Sequence, residues 1–310
     1  MTPTSRDTDA GLTVPLASHP ALSVACRPMT ITRVGVVGSG IMGSGIAQVA
    51  AQSGFEVVLR SRSQATADAT LAALGKSLNK LVDKGRMEAD AAAVVLGRVT
   101  AVEDLAALAD CDLVIESVVE DLDTKRELFT QLDAVVKDGA ILATNTSTLP
   151  VVEMAMATQR PDRVCGIHFF NPAPMMALVE LVRPLTASDE TMAEALAFAS
   201  ECGKSPVHVA DQAGFIVNAL LFPYLNNAVR LLENGVASAE DIDSAMKGGC
   251  NFPMGPLALL DLVGLDTSLA ILDALYAEFR DTNYAAMPVL RRKVAAGQLG
   301  RKSGQGFYSY

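Results

Sequence analysis

The chain has no tryptophan, only five Tyr and ten Phe, and just three His. A core must therefore be filled by aliphatic side chains and Met, and any histidine chemistry has few candidates. Positive charge is also short. The formal net charge is −10, which argues against a nucleic-acid groove, since phosphate backbones are bound by basic surfaces. It leaves room for a local basic pocket that takes a phosphorylated ligand. No apolar run approaches the ~18 residues that a membrane span needs. The five cysteines (Cys26, Cys111, Cys165, Cys202, Cys250) form no CxxC pair and no metal-ligand spacing with histidine. They read as reduced core residues of a cytoplasmic protein without a metal site.

What is present is a large core. Half of the 310 residues are hydrophobic and 19% are charged, enough for about two domains. Residues 1–30 are polar, rich in Pro, Ser and Thr, and lack the basic start and apolar centre of a secretory signal. They predict a disordered extension. From residue 31 on, short β-branched runs alternate with helical periods. Strands are predicted over 33–37, 56–60, 99–100, 113–117 and 141–144. Helices are predicted over 42–52, 64–84, 88–96 and 122–136. This crossover spacing implies a parallel, doubly wound α/β sheet of Rossmann type. Two further strands, 164–169 and 177–182, have a link too short for a parallel crossover and should be antiparallel. A helix over 189–202 and a strand over 206–209 close this part. Beyond it the signals are helical, over 215–233, 239–246, 257–261, 268–279 and 288–296. The expected organisation is a dinucleotide-binding domain over 31–212 and an all-α domain over 213–310.

The turn after the first strand reads GSGIMG. A glycine triplet alone is weak evidence, but this one follows a strand and opens a helix. Gly38 allows the tight turn, Gly40 admits a pyrophosphate, and Gly43 lets helix and strand pack closely. Free N–H groups at the helix start suit phosphate. Ile41 and Met42 complete the candidate cofactor turn. At the end of the second strand, an NAD site would have an acidic residue for the ribose 2′-hydroxyl. Here the chain reads Arg60, Ser61, Arg62. Ser61 removes a carboxylate that would repel a 2′-phosphate, and Arg62 can supply the matching charge. NADP(H) is therefore favoured over NAD(H).

The segment HFFNPAPMMALVE runs from His168 to Glu180. Its two ends are symmetric about residue 174, so an antiparallel pair centred there brings His168 and Glu180 face to face. That is an acid/base with a carboxylate to orient it. Of the other histidines, His19 lies in the extension and His208 in a short strand, where it reads as structural. Asn145 and Ser147 follow a buried strand at its carboxyl end, where α/β sites lie. Ser147 can hydrogen-bond a substrate oxygen, although the NTST run reads equally as a helix N-cap.

These residues carry a resemblance. VGVVGSGIMGSGIAQ, CDLVIESVVEDLDTK, ILATNTSTLP, GIHFFNPAPMMALVELV, GFIVNALLFPYLNNAV, FPMGPLALLDLVGLD and LGRKSGQGFYSY are similar to the L-3-hydroxyacyl-CoA dehydrogenase family, most of all to its bacterial 3-hydroxybutyryl-CoA branch. They span nearly everything from Ile31 to Tyr310. The resemblance implies a nucleotide-binding domain followed by a helical domain that pairs subunits into a homodimer, and an acyl-CoA substrate. It implies that His168 is the acid/base and Glu180 its partner, that Ser147 and Asn218 hold the substrate, and that Asn171 supports the site. Glu120 and Lys125 match cofactor contacts, and Ser77 and Lys84 match positions that touch coenzyme A. Two departures stand out. The family's aspartate after the second strand is Ser61 here, and a frequent lysine is Ala177. Rival readings are a dehydrogenase of a hydroxy acid or sugar acid without CoA on the same scaffold, and a cofactor-binding protein without catalysis.

Overall fold

The computed structural model describes residues 31–310. The extension expected over 1–30, with His19 and Cys26, lies outside the described residues. The first part contains β1 (Arg33–Val37), α1 (Ile41–Gln52), β2 (Glu56–Arg60), α2 (Gln64–Asp83), α3 (Ala89–Gly97), β3 (Val99–Val102), β4 (Leu113–Glu116), α4 (Leu122–Val135) and β5 (Ile141–Thr144). It continues with α5 (Val151–Ala155), β6 (Val164–Phe169), β7 (Leu178–Arg183), α6 (Asp189–Glu201) and β8 (Ser205–Ala210). Then come α7 (Val217–Glu233), α8 (Ala239–Cys250), α9 (Pro256–Val263), α10 (Leu265–Phe279) and α11 (Pro288–Ala295).

The strands form one sheet in the order β3-β2-β1-β4-β5-β6-β7-β8. Neighbours are parallel except for β6 and β7, which are antiparallel. The doubly wound α/β sheet and the helical part after it are as the sequence pattern implied. Apolar side chains cover both faces, as a parallel sheet requires. On one face Ile46, Leu74, Leu78, Val95 and Phe198 pack against Val34, Val36, Ile167 and Leu181. On the other, Leu128, Phe129, Leu132 and Met154 pack against Val114, Leu142 and Val182. A third core joins Phe222 and Leu225 of α7 to Leu257, Leu260, Leu272, Leu275 and Leu290. Burying one such side chain is worth about 1.5–3 kcal/mol.

Several boundaries moved for identifiable reasons. The helix expected from residue 215 begins at Val217, because Gly214 (φ +75°) and Phe215 (φ +50°) are left-handed and cannot join it. The helix that an NTST cap implies is the short α5, whose five residues show no period to give its span. The NTST run is not its N-cap. Pro150 occupies that place, and the Asp211 carboxylate accepts hydrogen bonds from the N–H groups of Val151 and Val152 at 2.9 and 2.7 Å. Asp211 thus ties the end of the sheet region to α5. Burial raises its pKa, against the pull of those two hydrogen bonds. His208 is exposed on β8, not in the core.

Candidate active site

His168 and Glu180 are register partners in the β6–β7 pair. Glu180 Oε2 accepts from His168 Nδ1 at 2.7 Å, and Glu180 is wholly buried. Its second oxygen, Oε1, accepts from the N–H groups of Ile216 and Val217, each at 3.0 Å. Helix α7 has no capping side chain of its own, so Glu180 caps it from β7. One carboxylate therefore orients the imidazole and anchors the helix that bears Asn218. Burial pushes the Glu180 carboxyl up, but the hydrogen bonds from His168, Val217 and Ile216, with the histidine's charge, hold it below its ordinary value. With Glu180 ionised, Nδ1 keeps a proton and Nε2 is the nitrogen left to exchange one. The rings of Phe170 and Phe215 stand 4.6 and 5.4 Å from the imidazole and shield it.

Ser147 Oγ lies 3.2 Å from His168 Nε2. Its backbone is held by Glu120, whose Oε1 accepts from Thr146 Oγ1 (2.6 Å), Ser147 N (2.8 Å) and Thr148 N (3.3 Å). Behind Glu120 lies Glu116, a buried charge that the sequence reading does not include. Lys125 Nζ sits 2.6 Å from Glu116 Oε1 and 3.3 Å from Glu120 Oε2, with Lys125 and Glu116 both buried. Glu116 also accepts from Val118 N (2.6 Å) and Thr144 Oγ1 (2.7 Å). A glutamate ending the apolar run LVIE was the available signal, because a buried charge needs a partner. Lys125, read as a cofactor contact, is here turned inward. Asn145 likewise uses its Oδ1 to accept from Phe169 N at 2.8 Å, tying the ends of β5 and β6 together.

A carboxylate, imidazole and hydroxyl in series also fit nucleophilic catalysis. That chemistry needs donors for an oxyanion beside the nucleophile. The N–H groups of Ser147 and Thr148 are instead occupied by the Glu120 carboxylate, whose charge would oppose an oxyanion. The arrangement is suited to moving a proton to or from an oxygen that Ser147 also contacts.

The glycine turn stands at the carboxyl end of β1, beside the ends of β4 and β5. A Cβ at Gly43 would meet Gly38 O at 1.8 Å, and one at Gly38 would meet Ser117 O at 2.2 Å. A Cβ at Gly40 would meet nothing within 4 Å. Two glycines thus close the turn, and the third faces open space that a pyrophosphate can fill. The start of α1 has no side-chain cap, so its N–H groups are available to an anion. Ile41 is exposed there, while Met42 packs inward. At the end of β2, Ser61 is buried and its Oγ has no hydrogen-bond partner. That orphaned hydroxyl fits a ribose contact. Arg62 is exposed and makes no ion pair among the described residues. Arg60 is committed to Glu103 O at 2.9 Å. The Glu103 carboxylate accepts from Gln64 N at 3.0 Å and places a negative charge in the same neighbourhood.

The remaining predicted residues divide. Asn218 is buried in the first turn of α7, next to the Glu180 anchor. Asn171 is exposed just past β6. Ser77 Oγ donates to Gln48 Oε1 at 3.4 Å, and Lys84 is exposed at the end of α2. No hydrogen bond joins Ser77 or Lys84 to the His168 cluster. Ala177 is exposed just before β7 and gives its carbonyl to Ser205 N at 2.7 Å. Among the described residues no helix is long and apolar enough to cross a membrane, and no acidic, His or Cys cluster could hold a metal.

Residues 33–212 match the family model for the NAD binding domain of 3-hydroxyacyl-CoA dehydrogenase, and residues 214–310 match the model for its C-terminal domain. A 3-hydroxybutyryl-CoA dehydrogenase of Clostridioides difficile is 49% identical over 278 residues, covering 90% of this chain and 99% of that protein. Mycobacterium tuberculosis FadB2 has a solved structure that superposes with a TM-score of 0.89 at 48% identity, covering 90% of this chain and 99% of the other. The (S)-3-hydroxybutyryl-CoA dehydrogenase PaaH1 of Ralstonia eutropha superposes with a TM-score of 0.88 at 44% identity, covering 91% and 99%.

Proposed function

The chain belongs to the 3-hydroxyacyl-CoA dehydrogenase family, and we propose that it catalyses reversible, NAD(P)-dependent oxidation of a (3S)-3-hydroxyacyl-CoA to the 3-oxoacyl-CoA. The short-chain substrate 3-hydroxybutyryl-CoA is the one named for the relatives at 44–49% identity. The observation that carries the reading is the Glu180–His168–Ser147 series, at 2.7 and 3.2 Å, at the sheet end that also bears the glycine turn.

Gly38, Gly40, Ile41, Met42, Gly43, Ser61 and Arg62 would hold a nicotinamide dinucleotide, which would supply hydride-transfer chemistry at this sheet end. In the oxidation direction His168 Nε2 takes the proton of the 3-hydroxyl, while Ser147 Oγ fixes that oxygen. Glu180 keeps the proton on Nδ1 and stabilises the imidazolium that forms. In the reduction direction the imidazolium returns the proton to the 3-oxygen. Asn218 and Asn171 orient the acyl part, and Ser77 and Lys84 contact the coenzyme A part. Glu120, Lys125 and Asn145 act from behind, holding Ser147 and the end of β6. Closure of the helical part over the sheet end would exclude water from the reacting groups.

We assign residues 31–212 to the dinucleotide and 213–310 to substrate closure and pairing of two copies. The exposed Leu220 and Leu231 of α7, with Leu262 and Val263 of α9, support a homodimer through this part. A cytoplasmic location accords with the free cysteines Cys111, Cys165, Cys202 and Cys250. For the cofactor we favour NADP(H), on the missing carboxylate at Ser61 and the free guanidinium of Arg62. Glu103 opposes this choice, so the preference should be small.

The test is reduction of acetoacetyl-CoA followed at the nicotinamide absorbance, with NADPH and NADH side by side. Turnover is expected with both, with the larger kcat/KM for NADPH. A higher value for NADH would overturn the cofactor assignment. Absence of turnover with either would overturn the reaction itself.

A further inference from the structure

The connection between β6 and β7, residues 170–177, touches both the imidazole and α1. Phe170 lies against the His168 ring, 4.6 Å between centroids. Asn171 follows it. Ala173 is buried on α1, where a Cβ at Gly45 would come within 3.2 Å of the Ala173 Cβ. The N–H groups of Met175 and Met176 both donate to Pro172 O, at 2.9 and 3.1 Å. The connection then enters β7, two residues before Glu180.

Its outward carbonyls are gripped by a residue that the dehydrogenase reading leaves without a task. Lys204 Nζ donates to Ala173 O at 2.7 Å and to Met176 O at 2.9 Å. Its neighbour Ser205 donates its N–H to Ala177 O at 2.7 Å. Lys204 follows Gly203, whose φ of +67° turns the chain from α6 into β8. No carboxylate among the described residues pairs with the ammonium, and burial lowers its pKa. A partly buried lysine without a counter-ion is normally costly. Here both hydrogen-bond acceptors belong to one short segment, so the charge is committed to that segment.

We infer that Lys204 is a positioning residue that clamps the β6–β7 connection onto the α6–β8 turn, with Ala173 seated on α1, and so sets the place of Phe170 and Asn171 beside the reacting groups. The inference rests on the dehydrogenase reading. Small displacements of groups that position a substrate are costly in rate or binding.

The test uses the full chain in three forms: unaltered, Lys204→Met, which keeps most of the stem and removes the donors, and Lys204→Arg, which restores a cation with several donors. Two quantities are read, steady-state kinetics with acetoacetyl-CoA and amide hydrogen exchange of a peptide spanning residues 170–178. Lys204→Met should raise KM for the acyl substrate about fivefold or more, with kcat changed less than about threefold. Exchange at Met175 and Met176 should quicken at least about tenfold while α1 and β1 keep their protection. Lys204→Arg should recover part of both changes. Unchanged exchange at 170–178, or a loosening spread over the whole sheet, would overturn the clamp. If the unaltered chain fails to reduce acetoacetyl-CoA, the dehydrogenase reading fails, and the exchange comparison still decides whether Lys204 holds the segment.

Discussion

The carboxylate of Glu180 divides its two oxygens between two elements: Oε2 faces His168 Nδ1 at 2.7 Å, and Oε1 takes the first N–H groups of α7 at 3.0 Å. The group that orients the acid/base therefore also fixes the helix that bears Asn218. A change at Glu180 should act on the reaction and on the fold together.

This gives a pH signature. The Glu180 carboxyl lies below its ordinary value of 4.5 in the folded protein, so its contribution to stability is complete above that pH and is lost as pH falls through the depressed value. Glu180→Gln should lower Tm at neutral pH, since hydrogen bonds to a charged group are worth about 1.5–3 kcal/mol. The gap between the two proteins should narrow as pH falls below 4.5. Thermal melts across that range check it, and a gap that stays constant or widens toward acid would contradict the assignment.

Ser147→Ala removes the hydroxyl 3.2 Å from His168 Nε2 and leaves the Glu120 support of the backbone in place. A loss of about a hundredfold in kcat is expected, the usual scale for one positioned donor. Dinucleotide affinity, read by fluorescence titration, should not move.

Lys125→Met leaves Glu116 buried without its cation. Breaking a buried pair in this way costs about 3–5 kcal/mol. Denaturant unfolding should show that loss, and the double variant Lys125→Met with Glu116→Leu should recover part of it. Equal stability of Lys125→Met and the unaltered chain would mean that the lysine serves a bound ligand and not the fold.

Arg62→Ala should reduce kcat/KM for NADPH at least about tenfold, since one charge-assisted hydrogen bond is worth about 1.5 kcal/mol or more, and leave NADH unaffected. Equal effects on both dinucleotides would remove Arg62 from the 2′-phosphate.

Much of this was legible in the chain because it depends on short-range pattern. The strand–glycine turn–helix order needs only neighbouring residues. The symmetry of His168 and Glu180 about residue 174 follows from the antiparallel hairpin. What could not be read depends on contacts across long sequence separations. Ser147 meets His168 because β5 and β6 are neighbours in the sheet, which no local spacing encodes. Asp211 caps α5 from 60 residues away. The inward turn of Lys125 is closer in sequence, nine residues from Glu116, but it depends on how α4 packs on β4. Phe215, a bulky residue with positive φ, broke a helix period that ran without a gap in the sequence.

The central claim is that His168 moves the proton. The direct test is the rate of acetoacetyl-CoA reduction by His168→Gln, with dinucleotide binding measured on the same sample. The account predicts a loss of about 10²–10⁴-fold in kcat with binding of the dinucleotide unchanged. A variant that keeps most of its turnover, or that loses dinucleotide binding in proportion to activity, would contradict it.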